Sequence, residues 1–131
     1  MRRVLLGVLL ALSFFAVVGV ASTGAHMSTR QWAIVSFREP VLIRGSVLMG
    51  RYLVVHDDER MAKGEPCTSI YVFDKETGPK SLEVEFMCVP KQTALTDKTT
   101  FQVRRHPGIE IPQVIEYQFA GDEEAHGVPA R

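Results

Sequence analysis

From Gln31 onward, apolar and polar residues alternate over short runs, and no stretch after Ala25 keeps apolar residues at i, i+3, i+4 and i+7 for more than a turn. A period of two places successive side chains on opposite faces of an extended chain, which predicts half-buried strands. The runs are rich in Val, Ile, Phe and Tyr: QWAIVSF (31–37), VLI (41–43) after Pro40, VLMGRYLVVH (47–56), CTSIYVFD (67–74), SLEVEFMCV (81–89), TTFQVRR (99–105) and QVIEYQFA (113–120). Gly50 marks a bulge or bend inside the third run, Gly78-Pro79 breaks the chain between the fourth and fifth, and His106-Pro107-Gly108 separates the last two. The predicted fold is therefore all-β, a small antiparallel sandwich or barrel of about six or seven short strands. The domain is expected over residues 26–120, with a polar, mobile C-terminal tail over 121–131.

The pattern is clearest in the fifth run. Leu82, Val84, Phe86 and Cys88 share one face, and Ser81, Glu83 and Glu85 share the other, as in an antiparallel strand with one dry and one wet side. In the fourth run Cys67, Tyr71 and Phe73 share a parity, so both cysteines can point to one core side from facing positions of a hairpin. The two enclose 20 residues, and a Cys67–Cys88 disulfide is expected if the chain meets an oxidising compartment. Such a bond would contribute on the order of 3 kcal/mol. No C-x-x-C pair is present to suggest a different use.

The N-terminus supplies the compartment. Arg2 and Arg3 precede an uncharged apolar run from Val4 to Val20, and small residues follow in ASTGA, the pattern of a secretory signal peptide over residues 1–25. Cleavage after Ala21 leaves Gly19 and Ala21 at the small-residue positions, and cleavage after Ala25 leaves Thr23 and Ala25. The expected localisation is periplasmic or extracellular, the alternative being an uncleaved membrane anchor over residues 4–21. The full chain carries 15 basic and 15 acidic residues, and losing Arg2 and Arg3 leaves 13 against 15. No basic run remains to follow a phosphate backbone, which argues against a nucleic-acid partner. There is no Asn in the chain, and so no N-glycosylation acceptor.

The stretch VVHDDERMAKGEPC (54–67) carries the densest chemistry. His56, Asp57 and Asp58 offer an imidazole and carboxylates, and His106 or His126 could complete a zinc or copper site; His56, Asp58 and His126 form the candidate ligand set. Against this, neighbours on a strand point to opposite faces, and Gly64 and Pro66 suit a solvated connection between strands. Asp57, Asp58 and Glu59 are consecutive, where a calcium loop needs alternate positions. Gly45 and Gly50 have phosphate-loop spacing, but Arg51-Tyr52 stands where Lys and Ser/Thr are required. No G-x-S-x-G elbow occurs. Glu83 and Glu85 stand side by side on one strand face, not across a cleft as a glycosidase pair would. Cys67 or Cys88 with His126 could make a nucleophilic pair only at the expense of the disulfide. Trp32, Tyr52, Tyr71 and Tyr117 suit a core better than a sugar-stacking platform.

The segment REPVLIRGSVLMGRYLVV resembles small secreted bacterial β-proteins that open on P-V-x-V-x-G-x-x-L-x-x-G-x-Y. Pro40, Val41, Ile43, Gly45, Leu48, Gly50 and Tyr52 follow that order, with Gly50 one residue closer to Leu48 than the pattern has it. The resemblance covers about 20 residues of 131 and implies an exported β-domain with no assigned activity. Together these readings predict an exported, non-enzymatic β-module that binds a partner protein, an envelope component or a small ligand. A metal-binding exported protein using His56, Asp57 or Asp58 with a distant histidine is the second reading, and a small hydrolase with a site of unfamiliar pattern is the third.

Overall fold

The computed structural model describes residues 30–130; the expected signal peptide and both cleavage positions lie outside the described residues. The chain is nearly all β, with eight strands in one curled, half-barrel sheet. In chain order these are β1 (Arg30–Ile43), β2 (Ser46–Asp57), β3 (Thr68–Asp74), β4 (Gly78–Phe86), β5 (Val89–Gln92), β6 (Thr100–Arg104), β7 (Gln113–Gln118) and β8 (Glu124–Gly127). A single-turn helix α1 (Asp58–Ala62) follows β2. The sheet order is β4-β3-β2-β1-β7-β8-β5, with β6 paired to β7. Among the described residues no helix is long and apolar enough to cross a membrane.

The first hairpin turns on two residues. Arg44 and Gly45 both have positive φ, 51° and 88°, as a turn matched to the right-handed strand twist requires. The runs at 31–37 and 41–43, expected as separate strands, are one strand, because Pro40 falls in the register shift between Phe37 and Val41, where no ladder hydrogen bond is lost. Gly50 sits opposite Phe37 at the edge of that shift with φ 108°, the expected bulge. Between β3 and β4 the side chain of Asp74 caps the turn, accepting from the Glu76 and Thr77 amides at 2.8 and 3.0 Å. Gly78 and Pro79, read as the break, instead begin β4 opposite Asp74 and Phe73.

Three expectations need correction. Within the segment expected as a mobile tail, residues 121–130 are ordered into the sheet: β8 inserts between β7 and β5, and Ala125, His126 and Val128 are buried. The backbone groups offered by β7 and β5 recruit it, a driving force that its own EAHG sequence does not display. The sheet is not wholly antiparallel, since β1 and β7 meet in parallel at Leu42 and Gln113, where the Leu42 amide donates to the Pro112 carbonyl. On β3 the parity is reversed. Thr68 and Ile70 face the core, whereas Tyr71 and Phe73 line a groove on the other side of the sheet with Trp32, Leu53 and Val55.

The core fills the inside of the curl with Val41, Ile43, Leu48, Tyr52, Val54, Ile70, Phe86, Val114, Tyr117 and Phe119, and Phe37 and Phe101 pack against it. Phe101 and Tyr117 stack at 5.6 Å between centroids, and Tyr117 meets Phe119 edge-on at 5.5 Å. The buried Tyr117 hydroxyl hydrogen-bonds to Thr68 Oγ1, so the polar tip of this ring has a partner.

Candidate metal centre

One end of that core is polar. His56 is the penultimate residue of β2, set opposite Gln31 on β1 and Thr68 on β3. Its period-two neighbours Tyr52 and Val54 point inward, and His56 follows them into the core at 0% exposure. His126 comes from β8, opposite Tyr117 on one side and Pro90 on the other, and is also 0% exposed. Cys88 lies in the link between β4 and β5 and is buried at 6%. One ligand atom from each of the three lies within 4.8 Å of the other two.

The two imidazoles are 4.1 Å apart between centroids, and Tyr117 stacks on the far side of His126 at 4.9 Å. Cys88 Sγ is 3.6 Å from His126 Nδ1 and 3.1 Å from Cys67 Sγ. Both ring nitrogens of His56, and Nε2 of His126, have no hydrogen-bond partner although they are buried. A buried polar nitrogen left without a partner costs on the order of 1–3 kcal/mol. Three such atoms on two neighbouring buried rings are the feature of this molecule that most needs a chemical explanation.

Burial sets the charge state. It lowers the pKa of His56, and together with the neighbouring His56 it lowers that of His126 to about 4, so both rings are neutral at pH 7. Burial and the contact with Cys67 raise the Cys88 thiol to about 12. One carboxylate lies near each ring. Asp58 Oδ1 is 3.4 Å from His56 Nδ1, and Glu124 Oε1 is 3.9 Å from His126 Nδ1. A carboxylate behind an imidazole orients the ring and raises its basicity as a ligand.

Of the predicted ligand set, the structure brings His56 and His126 together and leaves Asp58 near His56, outside the convergent trio. Asp57 serves structure instead. It caps α1, accepting from the Glu59 and Arg60 amides, and pairs with Arg30 at 2.8 Å. His106 bonds Gln113 at 2.9 Å, away from the cluster. The expected solvated loop after His56 is a capped helical turn, and His56 itself is in the core. The sequence favours Cys88 as a disulfide partner over a reactive thiol, a metal ligand or a nucleophile beside His126, and nothing in its local sequence signals a ligand, because its neighbours in the cluster come from β2 and β8. The two cysteines do face each other across the hairpin as expected, but they are unbonded thiols.

The chain matches no known family, no curated protein and no solved structure. The chemistry of the site rests on its own geometry.

Proposed function

We propose that this protein is an exported, non-enzymatic β-module that binds a zinc or copper(I) ion through His56, Cys88 and His126. The observation that carries the reading is the convergence, within 4.8 Å, of one thiol and two neutral imidazoles, three of whose four buried ring nitrogens make no hydrogen bond. A thiolate with two imidazoles is a donor set for zinc and copper, and hard cations such as calcium and magnesium prefer oxygen. Around a tetrahedral ion with bonds of about 2.0–2.3 Å, ligand atoms stand roughly 3.5 Å apart, so the trio must draw in by about 1 Å on binding.

The same groups serve poorly as a nucleophile and base. A thiol held at about 12 beside an imidazole held at about 4 favours the neutral pair, where cysteine catalysis needs the thiolate. A metal ion reverses this at Cys88, because coordination replaces the thiol proton. Export, the further element of the reading, rests on the apolar N-terminal run and on the resemblance of residues 38–55 to secreted β-proteins.

The test is the native mass of the full chain, expressed with its own N-terminus and purified without chelator. One metal ion per chain is expected, with about one proton released per ion rebound to the stripped protein. His56→Ala and His126→Ala should each abolish retention. Metal-free wild-type protein that takes up neither Zn²⁺ nor Cu⁺ would refute the site, and a mass corresponding to an uncut chain would refute cleavage of the N-terminal segment and favour the anchor.

A further inference from the structure

Cys67 and Cys88 touch each other in the core, and Cys67 also borders the outer groove. Cys88 Sγ is part of the histidine cluster inside the curl. Cys67 lies beneath the outer groove, a depression of about 460 Å³ that it lines with Trp32, Leu53, Val55 and Tyr71. Cys67 is itself 1% exposed, so a reagent in the groove meets its sulfur only on local opening there, where Arg60 of α1 borders the groove and no residue of α1 is buried. The sulfur of Cys88 therefore has two mutually exclusive uses. It can coordinate an ion with His56 and His126, or it can bond the sulfur 3.1 Å away.

We propose that Cys67 and Cys88 form a redox switch on the metal site, with Cys67 as the sulfur reached from the groove by a disulfide-bearing reagent or protein. The inference rests on the metal-site reading above. The Cys67 thiolate attacks one sulfur of the external disulfide, giving a mixed disulfide and releasing one thiolate. Cys88 then loses its proton and attacks Cys67 Sγ, forming the Cys67–Cys88 bond and expelling the second thiolate. Two protein thiols become one disulfide, and one external disulfide becomes two thiols, with two electrons and two protons transferred. In the product Cys88 has no thiolate to offer, and only His56 and His126 remain for the ion. Dithiol reductants run the sequence backwards and restore the site.

The experiment measures zinc affinity of the full chain by competition with a chromophoric chelator, before and after treatment with oxidised glutathione, with intact mass read in parallel. The reduced protein should bind one Zn²⁺. The oxidised protein should lose two hydrogens in mass, and its affinity should fall by more than the roughly 10–100-fold typical of losing an outer-shell partner. Phosphine reduction should restore it. Cys67→Ser, or Cys67→Ala should the hydroxyl disturb folding, should keep its zinc through the same treatment. Oxidised wild-type protein that retains zinc at full affinity overturns the switch while leaving the metal site standing. Equal loss of zinc from Cys67→Ser also overturns it. Reduced wild-type protein binding zinc no better than a His56→Ala/His126→Ala variant removes the metal site itself, and the switch with it.

Discussion

His126 is a buried imidazole between an aromatic ring and a second imidazole, and this has a cost that depends on pH. Its pKa is about 4 in the folded chain against 6.5 unfolded, and that of His56 is lowered in the same direction. The unfolded chain therefore takes up protons first as pH falls, and stability drops as pH goes from about 6.5 towards 4. For His126 alone the gap corresponds to on the order of 3 kcal/mol. Urea midpoints of metal-free protein should fall steeply between pH 6.5 and 4.5 and be flat from 6.5 to 8. His126→Phe, which keeps the ring stack on Tyr117, should be less steep. An unchanged slope would place the titration elsewhere.

At the scale of the element, β8 is the strand that converts a sheet edge into a site. Its four residues pair with β5 and three of them also with β7, and they bring His126 to His56 and Cys88 and carry Ala125 into the core. Removing residues 124–131 should leave β5 without its partner and part of the core open to water. The expected outcome is loss of the cooperative urea transition together with loss of zinc binding. A truncated chain that unfolds as sharply as the full one would mean that β8 docks on a completed fold. Sequence reading found the long elements because Val-, Ile- and Tyr-rich alternation over five or more residues is a local signal. It missed β5, VPKQ, and β8, EAHG, because four residues of mixed character have no period to read, and their pairing partners decide them.

Across the whole molecule the curl of the sheet gives two apolar faces with different fates. The inner one is the core, and the outer one is the groove where Trp32, the chain's only tryptophan, is 63% exposed. Alternation alone cannot say which of two apolar faces closes, so Tyr71 and Phe73 were assigned inward and lie outward. Trp32→Ser should change unfolding free energy by no more than about 0.5 kcal/mol, as for a surface position, whereas Tyr117→Ala should cost about 3–5 kcal/mol. Comparable losses in urea denaturation would make the outer face part of the core.

What the sequence by itself determined was the class of fold, the placing of most strands, the facing of Cys67 and Cys88, and two of the three convergent residues, His56 and His126. These follow from short-range causes: period-two patterning, turn chemistry at Asp74 and Gly45, and the hairpin that sets one cysteine against the other. The tertiary structure alone decided that Cys88 joins the histidines, that Asp57 leaves the site to cap a helix and hold Arg30, and that the last residues form a strand. The first depends on contacts between positions 32 to 70 residues apart, His56, Cys88 and His126, and the others on Arg30 and on the neighbouring strands β7 and β5, and no local pattern encodes a distance across the fold.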